Sequence, residues 1–353
     1  MEKPMVSLQR YESSPDSLRE LVRLCNGFSE LKPHHQVFIK PNLVAMDSQY
    51  PMALYGIFTT TRLVQDMVLL LNEFGVGNIT IGEGSVRAKH FALPTEGIYE
   101  ALGYPSLAKR YGVRLLDLLK GPFEKVGFGE YSLQIAKAAL ETDFFINMPV
   151  LKTHNQTMLS LGLKNLKGCL STKSRKFCHR SDQVLEDHIS SFVEKLRPAL
   201  TVLDGIYGLE KGPFYLGAAH RMNALAASKD PLAADILGAA LAGMDAAAVP
   251  HLRKYAERHG RSLRPEDVEV RGTPVKDLVK RLKWDNTWNE ENTGPRAWER
   301  MGLRGVSIPK YDKTVCSGCS GIYGPILTML MTGYKGEPYQ EIEILTGKVM
   351  KPS

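Results

Sequence analysis

The chain has no long hydrophobic run. A membrane-crossing helix needs about 20 consecutive apolar residues. The longest candidate, Leu63 to Leu71, is interrupted by Gln65 and Asp66, so no membrane association is expected. Met1-Glu2-Lys3-Pro4 lacks the apolar stretch of a secretory leader, and the expected compartment is the cytoplasm. Five cysteines in 353 residues exclude a disulfide-dense scaffold. Neither sign of charge dominates: 45 Lys and Arg stand against 38 Asp and Glu, a net charge of +7. That modest surplus favours anionic ligands. Without an RNP-type aromatic and basic motif it gives no ground for a nucleic-acid partner. No Gly-x-x-x-x-Gly-Lys-Ser/Thr loop occurs, and Gly82-Glu83-Gly84 lacks the third glycine of a dinucleotide fingerprint. Neither ATP nor NAD is expected. Internal repeats, low-complexity tracts and Pro/Gly/Ser-rich linkers are also missing.

What is present reads as an ordinary globular chain, 43% hydrophobic and 24% charged. Val37 to Leu43 begins as a buried strand and ends in polar residues. Thr59-Thr60-Thr61 predicts an N-capped helix that runs to Phe74 and stops at Gly75. Asn78 to Gly84 reads as the next strand and its turn, Gly97 to Tyr111 as a helix, and Val113 to Asp117 as a short strand. Asp143 to Pro149 and Leu200 to Leu203 read as buried strands. Pro231 to Met244 reads as a helix with Asp230 as its N-cap, and Val268 to Gly272 as a strand. Strands alternating with helices predict an α/β fold, a mostly parallel sheet with helices on both faces. Residues 1–275 form the expected core. Residues 276–353 form a C-terminal extension carrying a Cys-x-x-Cys segment that packs back on the core. The stretch from Lys283 to Arg304 holds Trp284, Trp288 and Trp298 and is assigned to a lid or to a contact with a second copy of the chain.

In open α/β sheets ligands sit beyond the carboxyl ends of the strands. The residues there are Lys40 and Asn42, then Glu83, Gly84 and Ser85, then Asn147, then Asp204 and Gly205. The densest polar run is Lys152-Thr153-His154-Asn155-Gln156-Thr157. If Thr157 to Lys167 is helical, a helix N-terminus near His154 offers backbone N–H groups to an anion, and Lys164 and Lys167 share a face. Lys173, Arg175, Lys176 and Arg180 extend the positive charge. An anion-binding set of Lys40, Asn42, Lys164 and Asn165 is expected, with Lys152 and His154 as catalytic groups. Asp235 reads as a buried carboxylate that orients a lysine of the site.

Cys169 and Cys178 flank that basic loop, and Cys316 and Cys319 form the Cys-x-x-Cys. Four thiolates from two segments are the inventory of a [4Fe–4S] cluster or of a tetrahedral zinc site. Cys316 and Cys319 alone, before a helix from Gly324 to Thr332, would also suit a dithiol redox pair, and unrelated thiols are the plainer reading. His179 is placed to replace a cysteine ligand or to hydrogen-bond a cluster sulfur. Cys25 reads as a core thiol.

Several stretches together resemble the DUF362 family, proteins of unassigned function often described as iron–sulfur proteins. They are Ile39-Lys40-Pro41-Asn42-Leu43, Thr59-Thr60, Ile81-Gly82-Glu83-Gly84, Asn147 to His154, Gly162-Leu163-Lys164-Asn165-Leu166-Lys167-Gly168, Asp204-Gly205, and Ser228-Lys229-Asp230-Pro231 with Asp235. The resemblance covers about residues 35 to 272. It implies an α/β fold with these polar motifs gathered at one site. Many relatives append a ferredoxin-like domain with two runs of cysteines. This chain has one Cys-x-x-Cys after residue 272, which leaves room for a single cluster built into the main domain. The expected function is an iron–sulfur redox enzyme acting on a small carboxylate- or phosphate-bearing substrate, with an electron-transfer partner. The alternatives are a non-catalytic electron carrier or redox sensor, and a hydrolase or transferase with structural zinc.

Overall fold

The structure is a computed structural model that describes residues 3–46, 55–86, 93–154, 156–179, 184–212, 217–284, 289–291, 293–294, 302–309, 330 and 333–345. Its centre is a ten-stranded sheet. The strands are β1 (Met5–Arg10), β2 (Gln36–Pro41), β3 (Asn78–Glu83), β4 (Arg114–Asp117), β7 (Phe144–Met148), β8 (Val150–His154), β9 (Met158–Ser160), β10 (Leu200–Glu210), β11 (Ala218–Ser228) and β12 (Glu269–Gly272). A separate hairpin joins β5 (Phe123–Phe128) to β6 (Tyr131–Ala136). The main order is β12-β1-β11-β10-β7-β2-β3-β4. From β10 to β4 every neighbour is parallel, while β11 runs antiparallel to β10 and β1. The expected mostly parallel α/β sheet is the observed one.

Alternation along the strands divides the core in two, because successive side chains leave opposite faces. Phe38, Phe145 and Leu151 join a core built with α8 (Val184–Leu196), α9 (Pro231–Leu241) and α10 (Pro250–His259). Val37, Ile39, Phe144 and Ile146 join a second core with α1 (Pro15–Leu24), α2 (Thr61–Glu73), α3 (Thr95–Ala101) and α4 (Tyr104–Tyr111). Helices therefore cover both faces. Among the described residues no helix is long and apolar enough to cross a membrane.

Four local expectations differ from the structure. The helix expected over Gly97 to Tyr111 is two helices, because Gly103 adopts φ +78° and Pro105 opens the second. The hydroxyl of Thr60 caps nothing on α2; the polar atoms of Thr59 and Thr60 are engaged across the sheet, as described below. The strand expected over Leu200 to Leu203 continues to Glu210 through an irregularity between Gly205 and Tyr207. Finally, Thr157 to Lys167 is not one helix. Pro149 separates β7 from β8, both of which run beside β10. β8 turns back through β9, and helix α6 (Gly162–Asn165) starts only at Gly162. The helix N-terminus expected to bind an anion at His154 to Thr157 is therefore a strand end and its turn.

Beyond β12, Leu278 and Leu282 are buried in the first core. Residues Val306–Ser307 and Ile342–Glu343 form a small parallel pair. The expected helix from Gly324 to Thr332, with Cys316, Cys319, Trp288 and Trp298, lies outside the described residues, apart from Leu330.

Candidate active site

Strand ends β2, β3 and β7–β8 bring together most of the polar residues expected at the site. Pro41 has no N–H and ends the β2 ladder. The next N–H, that of Asn42, donates to Thr59 Oγ1 (2.7 Å), whose hydroxyl donates in turn to Met148 O (2.7 Å). Thr60 N–H donates to Asp204 Oδ2 (2.6 Å), and Asp204 Oδ1 accepts from Ile206 N–H (3.0 Å). Burial raises the Asp204 carboxyl and these donors oppose the rise.

Lys40 is fully buried. Its ammonium pairs with Glu83 Oε1 (2.8 Å) and donates to Pro41 O (2.7 Å). Glu83 also accepts from Leu43 N–H (2.7 Å) and from Gly84 N–H (2.7 Å). The pair thus staples the β2 and β3 loops. Gly168 closes it from the third side. A Cβ there would stand 2.6 Å from Lys40 Nζ and 2.8 Å from Glu83 Oε1, so only glycine lets the chain pass. Arg175, on α7 (Thr172–Phe177), donates to Leu170 O (2.9 Å), Gly84 O and Gly168 O. This guanidinium, expected to extend an anion surface, is instead spent on backbone carbonyls.

A line of side-chain amides runs from Lys152. Its Nζ donates to Asn42 Oδ1 (2.7 Å) and Ile57 O (2.7 Å). Asn42 Nδ2 donates to Asn165 Oδ1 (2.8 Å), Asn165 Nδ2 to Asn147 Oδ1 (2.8 Å) and Lys40 O (3.2 Å), and Asn147 Nδ2 to Gly162 O (3.0 Å). Every amide uses its oxygen as acceptor and its nitrogen as donor in one direction, an order in which buried hydrogen bonds reinforce one another. The sequence placed Lys40, Asn42, Lys152 and Asn165 at one site, and the structure joins all four.

Burial pushes the Lys152 ammonium well below the ordinary lysine range, with Lys164 and Lys40 adding to the effect and Glu83 opposing it. Asn42 and Ile57 take two of the three hydrogen-bonding positions on Nζ, and the third is a proton in the ammonium or a lone pair in the amine. His154 is likewise buried and is held well below the usual imidazole range by burial, then by Lys164, Lys152, Lys167 and His179. Its Nδ1 accepts from Gln156 N–H (3.2 Å) and Thr157 N–H (3.3 Å), which assigns the proton to Nε2. The site sets Lys40, Lys152, His154 and Lys164 among three buried carboxylates, Glu83, Asp204 and Asp235, of which Glu83 pairs with Lys40.

Asp235 is buried as expected, but its partner is not a lysine. Oδ1 and Oδ2 accept from Gly162 N–H (2.7 Å) and Leu163 N–H (2.9 Å), so it orients Lys164 and Asn165 through the start of α6. His251, at the start of α10, was missed. It is fully buried, neither ring nitrogen has a hydrogen-bond partner among the described residues, and burial together with Lys164 pushes it down to about 3. A Pro-His pair at a helix start carries no sequence signal that separates it from an ordinary helix opening.

Cys169 and Cys178 are both buried in the first core, and neither forms a disulfide among the described residues. Burial raises Cys169 up to about 12, opposed by Lys40 and Arg175. His179 contacts Lys167. Among the described residues no group of three or more His, Cys, Asp or Glu stands together to hold a metal ion. The other two expected ligands, Cys316 and Cys319, lie outside the described residues, so those present supply at most half of a four-thiolate set.

A family model described as a domain of unknown function (DUF362) matches residues 37–240. Thylakoid-associated protein sll1697 of Synechocystis sp. (strain ATCC 27184 / PCC 6803 / Kazusa) is 28% identical over 274 residues, which is 74% of this chain and 80% of that protein. The lactate racemase apoprotein from Thermoanaerobacterium thermosaccharolyticum superposes with a TM-score of 0.38 at 13% identity. That match covers 62% of this chain, which spans 54% of the racemase.

Proposed function

We infer that this chain, which belongs to the DUF362 family, is an enzyme that moves a proton on a small carboxylate- or phosphate-bearing substrate. The observation that carries the reading is Lys152, a lysine buried at the strand end whose Nζ donates to Asn42 Oδ1 and Ile57 O, in a setting where burial disfavours its charged form. Lysines in this state serve as bases or nucleophiles. The cations that depress Lys152 and His154, above all Lys164, favour an anion in the same space. The Lys152 lone pair takes the proton, and Nε2–H of His154 donates a hydrogen bond to the oxygen that gains charge. The Asn42–Asn165–Asn147 line fixes the amine, and Asp235 fixes Lys164 and Asn165.

The test is proton NMR in D2O with a panel of small carboxylic acids and phosphate esters. Deuterium is expected to enter at a carbon beside the anionic group with wild-type protein. In Lys152→Met exchange should fall by roughly 10²–10⁴-fold, the span of a general base, with an unchanged far-UV circular dichroism spectrum. Exchange that survives Lys152→Met overturns the assignment. So does a panel with no exchanged member from a protein that also fails to bind inorganic phosphate.

A second reading keeps the redox enzyme, with a [4Fe–4S] cluster on Cys169, Cys178, Cys316 and Cys319. It is favoured by the burial of Cys169 and Cys178 in one core, with Cys169 in the field of Lys40, Glu83 and Arg175. Such a cluster would supply electron transfer. Cys25, Cys169 and Cys178 form no disulfide among the described residues, which agrees with a reducing compartment such as the cytoplasm. Anaerobic purification followed by iron, sulfide and zinc analysis separates the cases. About four irons per chain with a band near 400 nm, lost in Cys169→Ser, supports the cluster. One zinc moves the site to a structural role, and metal-free protein ends the reading.

A further inference from the structure

Residues 280–283 are fixed as a strap across the end of α9. Lys280 N–H donates to Leu241 O (2.9 Å), Leu282 N–H to Ala242 O (2.9 Å), and Lys211 N–H to Lys283 O (2.7 Å). Leu282 points into the core at 2% exposure. Arg281 and Lys283 stand on the solvent side of the strap, both exposed. They line a cleft of about 410 Å³, with Trp284, Met158, Met244 and Asp245 among its other walls. Among the described residues the side-chain nitrogens of Arg281 and Lys283 make no ion pair or hydrogen bond, and the Lys283 backbone N–H donates to Glu210 Oε2 (3.2 Å). Asp245 forms no ion pair with either among the described residues; its Oδ1 accepts from Ala247 N–H (2.9 Å) and starts the turn Ala246–Ala248.

The cleft adjoins the site already described. Met158 lies directly opposite His154 in the β8–β9 ladder, and directly opposed residues of an antiparallel pair project from the same face. Its size suits a small ligand. An indole and two thioethers accept a flat ring, and a guanidinium beside an ammonium accepts a carboxylate or phosphate.

We propose that this cleft is the specificity subsite of the enzyme, and that it selects substrates carrying an aromatic or heteroaromatic ring with an anionic group on it. The proposal rests on the reading above for the reacting end of the substrate and on the cleft alone for the selecting end. Arg281 and Lys283 hold the ring's anionic group, and Trp284, Met158 and Met244 pack against the ring.

The test is calorimetric titration with phenyl phosphate and, separately, inorganic phosphate. Phenyl phosphate is expected to bind at least about tenfold more tightly, and Arg281→Ala/Lys283→Ala and Trp284→Ala each to remove that advantage, as truncation of an anchoring residue does. Lys152→Met should leave the advantage intact. Equal affinities for the two anions, or an advantage that survives both cleft variants, overturn the subsite. If exchange in D2O is lost in Lys152→Met while the two anions bind equally, the catalytic reading stands and the subsite fails. If the cleft variants lose the advantage but no panel member is exchanged, the cleft binds rings without selecting a substrate, and the proposal fails with the reading it rests on.

Discussion

Lys40→Met is expected to lower stability by about 3–5 kcal/mol, because it leaves Glu83 charged and buried without its ion partner. Neither member of the pair reaches solvent, with side-chain exposures of 1% and 3%. Glu83 keeps two backbone donors, Leu43 N–H and Gly84 N–H, which places the loss toward the lower end of that range. Glu83→Gln strands the lysine instead, with Pro41 O as the one other partner of its ammonium among the described residues. The double variant Lys40→Met/Glu83→Gln should recover a large part of either single loss, since removing both charges removes the unpaired one. Urea unfolding of the four proteins gives the coupling, expected at about 2 kcal/mol or more for groups in direct contact. Strict additivity of the two single losses would show that the pair does not hold the loops together.

Asp235 carries the second large effect, and it is a pH effect. Burial raises its carboxyl from 3.8 to about 7, against the opposing hydrogen bonds from Leu163 and Gly162. The folded state therefore holds a proton that the unfolded chain has already released. Its stabilisation is complete below the unfolded value and is lost as pH rises through about 7. At about 1.4 kcal/mol per pH unit, wild-type stability should fall relative to Asp235→Asn by roughly 3 kcal/mol between pH 5 and pH 8, most of it before pH 7. Urea midpoints of the two proteins across that range measure it. A difference that stays flat, or that grows with pH, would mean that Gly162 N–H and Leu163 N–H hold the carboxylate ionised. Asp235→Leu leaves both N–H groups buried without an acceptor and should be worse at every pH.

How far the sequence led is best judged strand by strand. β2, β3 and β7 were legible because each is a buried apolar run stopped by polar residues, and the polar stop was where the site lay. β8 was not. Val150-Leu151-Lys152-Thr153-His154 buries a lysine and a histidine, and hydrophobic periodicity assigns such residues to a surface turn or a helix start. Partners such as Asn42 and Ile57 for Lys152 and the backbone of Gln156 and Thr157 for His154 make that burial tolerable, and partners 110 and 95 residues away do not register in a local pattern. The β5–β6 hairpin is a different failure. Tyr131, Leu133 and Ile135 alternate with Ser132, Gln134 and Ala136, a period-two signal that was readable and was passed over. Asp235 was correctly placed as buried and wrongly partnered, since nothing in a sequence marks a backbone N–H as the acceptor's target.

The amide line and the Lys40–Glu83 pair draw on residues from 40 to 165, and Asp204 and Asp235 tie in segments that close only when β10 and α9 are in place. This arrangement cannot exist in a half-folded chain. A small anion that binds it would bind the native state alone, and its affinity would be returned as resistance to heat: about 2.7 kcal/mol at a hundred times its dissociation constant. A melting curve run against a library of small anions would therefore find such a ligand without any knowledge of a reaction.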